Sequence, residues 1–374
     1  MKREILAAVL SVGMLVISSF AVFAESQQER YGNPDQGDVA GGAVYSMTNA
    51  PDGNTVVIFN RDANGILTKA GSISTGGTGS GGGLDPLGSQ HSLLLSADNR
   101  WLLAVNAGSH EISVFRVRPD ELKLIDKVDS GGVFPVSLTV FHDLVYVLNG
   151  GPSPNITGFK LSHRGRLTPL PDSTRSLGSD AFAQVGFDPQ GDTLVVTDKG
   201  GSKILVYALD DEGLPAANPV TSLSNGKTPF GFIFDPQGHL LVVEVGPNAV
   251  SSYNILDGGS LQVISGSVPN GQTAACWIVG NEHGDVFTAN PGSGTVSAYH
   301  VTARNGQVAL LDGAAGSGNK PLDLALATNG RFLYALDPGS GSIDMFQVER
   351  NGGLTHLGAI AGDLSLFAQG IAAR

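Results

Sequence analysis

Short apolar runs punctuated by Gly, Asn, Asp and Pro fill the chain from about residue 42 onward, and no segment sustains a helical period. The runs recur in a fixed order. An unbroken apolar stretch comes first, such as "VSLTVF" from Val136, "FAQVGF" from Phe182 or "FGFIFD" from Phe230, and it reads as a strand buried on both faces. A turn follows, "DPQG" at Asp188 and again at Asp235, then a second strand: "WLLAVN", "LVYVLN", "TLVVTD", "LLVVEV", "DVFTAN", "FLYALD". A third strand closes on an aromatic at Phe59, Phe115, Phe159, Tyr207, Tyr253, Tyr299 and Phe346, at intervals of 56, 44, 48, 46, 46 and 47 residues. A more variable fourth strand completes each unit. Seven repeats of four short strands predict an all-β, seven-bladed β-propeller.

The count also predicts how the ring closes. The first repeat begins at "AVYSMTN", which matches the second strand, and the chain ends on "LFAQGIAAR", which matches the first. The C-terminal strand is therefore expected to complete the first blade, covering an edge that would otherwise stay open. This assigns 42–374 to the propeller and 25–41, polar throughout, to a linker. Residues 74–88, "STGGTGSGGGLDPLG", form the one low-complexity insert and are expected to be a flexible loop over one face. Gly77, Gly79 and Gly82 spell a dinucleotide fingerprint, but no helix follows to receive a pyrophosphate.

Residues 1–24 differ from everything after them. Lys2 and Arg3 precede an apolar stretch from Ile5 to Phe20, and Val22 and Ala24 are small residues suited to cleavage after Ala24. The expectation is a secretory signal peptide, a secreted or periplasmic mature chain, and no membrane attachment once it is removed. Cys276 is the only cysteine, so no internal disulfide forms, and its apolar neighbours mark a buried, inert thiol. A net charge of −12 with no Lys/Arg cluster disfavours nucleic acid. A monomer is expected.

Candidate chemistry follows from propeller geometry, because the start of strand 1 and the end of strand 2 share one face of the ring. That places Asn49, Asn106, Asn149, Asp198, Glu244, Asn290 and Asp337, each nine or ten residues before a marker aromatic, around the channel mouth. Gln90, His91, Gln184 and Gln272 join them from the strand-1 entries. Asn and Asp before Gly also cap turns, which is the competing reading of the ring. Glu244 is a poor turn former in an apolar setting, so a carboxyl with a raised pKa is expected there. His91 is the best-placed histidine for proton transfer. His142, His239 and His283 fall in strand 1–2 turns on the other face. Neither a metal-spaced His/Cys cluster nor a G-x-S-x-G elbow is present, so the candidate chemistry needs no metal or cofactor.

The units "LSADNRWLLAVNAGSHEISVFRV", "FDPQGDTLVVTDKGGSKILVYAL" and "LATNGRFLYALDPGSGSIDMFQV" resemble the seven-bladed lactonase-type propellers, which include bacterial 6-phosphogluconolactonase and fungal carboxymuconate cyclase. The resemblance spans 42–374. It implies hydrolysis or cyclisation of a small lactone or organic acid, with Glu244 or His91 as base, Asp198 orienting, and Gln90, Asn106, Asn149, Gln184, Gln272, Asn290 and Asp337 binding substrate. Family enzymes carry an Asp-Leu-Gly turn that reads Asp198-Lys199-Gly200 here, and a Gly-Pro-Arg-His entry that reads Lys227-Thr228-Pro229-Phe230-Gly231. Loss of that Arg argues against sugar-phosphate substrates. The alternative is a non-catalytic propeller that binds a glycan, peptide or protein at its channel face.

Overall fold

The computed structural model describes residues 41–362 and 364–374, so the expected signal peptide and all but the last residue of the expected linker lie outside it. The described chain is a ring of seven antiparallel sheets. Six have four strands; blade 3 adds a two-residue fifth, Arg175–Ser176, against Asn155–Leu161. Blade 1 closes as the strand count requires. Ile371–Ala373 pairs with Gly42–Met47, setting Ser46 opposite Ile371 and Val44 opposite Ala373. No helix among the described residues is long and apolar enough to cross a membrane.

The repeat aromatics are interior in every blade: Phe59, Phe115, Phe159, Tyr253, Tyr299 and Phe346 have no exposed surface and Tyr207 almost none. Second strands such as Trp101–Asn106, Leu144–Asn149 and Phe332–Asp337 are buried at every position, as strands sandwiched between neighbouring blades must be. Blade spacing is set by close contacts that only glycine permits. Gly65 (φ 82°) of blade 1 lies where a Cβ would stand 2.3 Å from the Phe332 ring of blade 7, and Gly165 (φ 83°) meets Trp101 of blade 2 in the same way.

First strands are shorter than the apolar runs in three blades. "HSLLLS" reduces to Leu93–Leu95, "LDLALA" to Leu324–Leu326 and the C-terminal run to Ile371–Ala373. Backbone in the left-handed region breaks two of them: His91 (φ 65°) precedes the first and Gly370 (φ 92°) the last.

The Gly-rich insert departs from expectation. It is held in place rather than flexible. Asn54 N donates to Gly77 O at 2.9 Å, Gly79 N to Ala50 O at 2.8 Å and Gly108 N to Thr78 O at 3.0 Å. A Cβ on Gly77 or Gly79 would overlap Asn106 or Asn49, so these glycines serve close backbone approach.

Candidate functional site at the channel mouth

Residues 84–91, the last of the insert and the three that follow it, bond to blades 1, 3, 4 and 6 around the channel. Ser89 Oγ donates to Val136 O of blade 3 at 2.7 Å, and Gln90 N donates to Ala183 O of blade 4 at 3.2 Å. From blade 6, Trp277 Nε1 donates to Ser89 O at 2.9 Å. From the closing segment, Gln369 Nε2 donates to Ser89 O at 3.0 Å and its Oε1 accepts from Leu87 N at 3.0 Å. Leu87, Ser89 and Gln90 are buried. The channel mouth is therefore stoppered by the chain's own blade 1–2 connection.

The outer surface of this plug bears a charged pair. Asp85 sits in a positive-φ turn (53°), its Oδ1 accepting from Gly88 N at 3.0 Å and Gln369 Nε2 at 2.9 Å. Oδ2 has no protein donor among the described residues. Burial raises its pKa to about 6, against the opposing pull of the Lys199 ammonium and its two hydrogen bonds. Lys199 leans over the mouth from the Asp198-Lys199-Gly200 turn. It donates to Gly88 O, its Nζ stands 5.2 Å from the Phe230 ring centre, and burial lowers its pKa. A carboxyl with one free oxygen beside a partly desolvated ammonium can take a proton from water and stabilise developing negative charge. Cys276 lies close by, but burial pushes its thiol pKa up and Sγ donates to Ala274 O at 3.1 Å, so it stays protonated.

The polar ring has a different role from the one its sequence position suggests. None of its seven members is more than 2% exposed. Most fasten the end of strand 2 to the segment arriving from the previous blade. Asn149 Oδ1 accepts from Ser130 Oγ at 2.7 Å; Asn290 Oδ1 accepts from Asn270 Nδ2 at 2.8 Å; Asp337 Oδ2 accepts from Lys320 N at 3.0 Å. Asn106 Oδ1 accepts from Asn54 Nδ2 at 3.0 Å, and Asn49 Nδ2 donates to Phe367 O at 3.2 Å. Gln272 Oε1 accepts from Thr295 Oγ1 at 2.9 Å.

Glu244 extends this bracing. Its Oε1 accepts from Ser224 Oγ (2.9 Å), Gly226 N (2.7 Å) and Tyr253 OH (3.0 Å), and its Oε2 from Ser267 Oγ (2.6 Å). Asp198 accepts from Gly201 N at 2.7 Å and stands 3.8 Å from Lys203 Nζ; burial raises its pKa, helped by Asp180. It lines a cavity of about 260 Å³ with Asp180, Lys203 and Tyr207, at the flank of blade 4. His91 lines another of about 260 Å³ along the channel below the plug. Glu244, Asp198 and His91 thus occupy three separate surroundings, linked by no hydrogen bond.

Gln90 and Gln184 clamp strands across blades. Gln90 Oε1 accepts from Ile278 N at 3.0 Å while its Nε2 donates to Ile278 O at 2.8 Å; Gln184 makes the same pair with Phe232 at 2.7 and 3.0 Å. Sequence reasoning missed Asp85 and Lys199. The available signal was an Asp-Pro in a Gly-rich insert and a lysine in the turn where the family has leucine.

Comparison with known proteins agrees with this architecture. The family model "Lactonase, 7-bladed beta-propeller" matches residues 179–363. The chain belongs to the lactonase family of seven-bladed β-propellers. This lactonase propeller is 25% identical over 178 residues to the 6-phosphogluconolactonase of Bacillus subtilis (strain 168), a match covering 45% of this chain. The chain spans about half the length of that curated relative. Among solved structures, a Pseudomonas aeruginosa periplasmic gluconolactonase superposes with a TM-score of 0.71 at 17% identity, covering 88% of this chain and 98% of that one. A putative 6-phosphogluconolactonase of Bacteroides fragilis NCTC 9343 gives 0.69 at 18% identity, covering 90% and 99%. At such identities these structures establish the shared fold of the lactonase propeller.

Proposed function

We propose that this lactonase propeller is an exported hydrolase of small, uncharged lactones, working without a metal at the mouth of its plugged channel. The observation behind this reading is the Asp85–Lys199 pair. Asp85 offers an unpartnered carboxylate oxygen whose pKa, about 6, suits a base at neutral pH. Water attacks the lactone carbonyl carbon as Asp85 takes one of its protons, and Lys199 donates to the oxyanion. The tetrahedral intermediate collapses with cleavage of the ring C–O bond, and Asp85 returns the proton to the departing alkoxide. The base assignment moves from Glu244 or His91 to Asp85 because four donors already occupy the Glu244 carboxylate and His91 lines a separate cavity. Lys199 is balanced by Asp85, leaving no spare cation for a phosphate or carboxylate, so aldonolactones fit better than sugar phosphates. Export is supported by the pattern of residues 1–24, with the mature chain starting at Glu25.

Hydrolysis of a panel of aldonolactones and aliphatic lactones, with Asp85→Asn and Lys199→Met alongside, tests the proposal. Turnover in the wild type, lowered at least a hundredfold by Asp85→Asn, is the expected result. No turnover on any lactone by folded protein sinks it. It would favour the second reading, a non-catalytic propeller that binds a glycan, peptide or protein at its channel face.

A further inference from the structure

The cavity below the plug ends in an unmet hydrogen-bonding demand. His91 stands between two carboxamides, its Nδ1 3.2 Å from Gln184 Nε2 and its Nε2 3.5 Å from Gln90 Nε2. Neither carboxamide can flip, because each is locked oxygen-to-N–H and nitrogen-to-C=O on a backbone peptide, Ile278 for Gln90 and Phe232 for Gln184. Both therefore aim N–H at the imidazole. Burial lowers the His91 pKa to about 4, so at neutral pH the ring has one N–H and one lone pair. Three hydrogens meet one acceptor. The shorter contact assigns the lone pair to Nδ1, leaving the Nε2–H of His91 and the second amide hydrogen of Gln90 without an acceptor among the described residues. Gln90 is 1% exposed and His91 is half-buried, so an acceptor reaches these donors from the adjoining cavity.

The space beside this pair is lined mostly by apolar side chains, with Ser96, Asn99 and Thr328 as its polar members. About 260 Å³ runs along the channel from His91 past Leu93, Val279, Leu324 and Ile371 to the opposite face, where Asn99 Nδ2 donates to Thr328 Oγ1 at 3.3 Å across the rim. Among the described residues no charged side chain lines it. Such a tube rejects ions and holds little ordered water away from its polar end. We propose that it binds a small uncharged molecule with an apolar ring or chain and one carbonyl or ether oxygen, which accepts from His91 Nε2 and Gln90 Nε2. This site faces away from the Asp85–Lys199 pair and is independent of the reading given for that pair.

Cyclohexanone is a suitable probe, with methylcyclohexane as the isosteric hydrocarbon and cyclohexylammonium as the charged control. Binding is read from the ¹⁵N shift of the His91 ring in the purified chain and from soaked crystals. Saturable binding of the ketone is expected, at least tenfold tighter than the hydrocarbon, with the cation excluded. His91→Phe and Ala325→Leu each weaken it at least tenfold, the second by narrowing the tube while leaving both donors intact. Asp85→Asn leaves it unchanged. If His91→Phe does not fold, Ala325→Leu decides alone. Equal binding of hydrocarbon and ketone, water alone beside His91 in the soaked crystal, or ketone binding insensitive to Ala325→Leu each overturns the proposal.

Discussion

Replacing Glu244 by Gln separates bracing from chemistry. The carboxylate is fully buried and accepts four hydrogen bonds, from Ser224 Oγ, Gly226 N, Tyr253 OH and Ser267 Oγ. Bonds to a charged acceptor contribute about 1.5–3 kcal/mol each and neutral ones about 0.5–1.5. Neutralising the group therefore costs roughly 4 kcal/mol gross. Part returns because an uncharged amide is cheaper to bury. The Ser267 hydroxyl can also turn to accept from the new amide, so about 2 kcal/mol of net destabilisation is expected. Glu244→Ala removes every acceptor and leaves the fixed Gly226 N–H unmatched, so it should cost about 4 kcal/mol or more. The assay is urea unfolding followed by fluorescence, with lactone turnover normalised to the folded fraction. A shifted midpoint with unchanged turnover per folded molecule is the expected outcome. Wild-type stability combined with lost turnover refutes the bracing argument and returns Glu244 to the chemistry.

Gly88→Ala places a Cβ 2.5 Å from Lys199 Nζ on backbone at φ 56°, so it should destabilise by about 1–2 kcal/mol and lower turnover at least tenfold by displacing the ammonium, as steady-state kinetics will show. Deleting residues 371–374 removes the closing strand of blade 1 with its buried Ile371 side chain and bares the edge of Gly42–Met47; a loss of about 4 kcal/mol is expected in thermal unfolding, with edge-to-edge association in size-exclusion chromatography. The folded pKa of His91, about 4, lies below its ordinary 6.5. The unfolded chain alone takes up that proton as pH falls from 6.5, so the stability contribution is present above 6.5 and lost down to about 4. Urea midpoints of wild type and His91→Phe should therefore converge as pH drops through that window; a constant gap refutes the neutral imidazole.

The ring was legible because its signal is periodic. Seven aromatics at near-constant spacing, each ending an apolar strand, leave little choice of architecture, and the orphan second strand at "AVYSMTN" dictates a partner from the other end. The plug was not legible. Its path is fixed by Gln90, Gln369 and Trp277 meeting backbone groups 188 to 282 positions away, and no local pattern encodes such pairings. The polar ring was placed at the right height, but the connections between blades fold over it and consume its hydrogen bonds. The turn-capping alternative came nearer, although Asn149 and Asn290 tie blades together rather than cap their own turns. Glu244 stood out as unusual for a sound reason: only its longer side chain reaches donors on two neighbouring segments at once.

A ring of repeats is ordinarily a nearest-neighbour object, in which each unit senses only the two beside it and can fray without the rest. Residues 84–91 change that arithmetic. One hub bonds blade 2 directly to blades 1, 3, 4 and 6, so opening any of these breaks contacts shared by the others. Native-state hydrogen exchange of the innermost strands should then report one common opening energy around the wheel, with graded values confined to the outermost strands, which no spoke reaches.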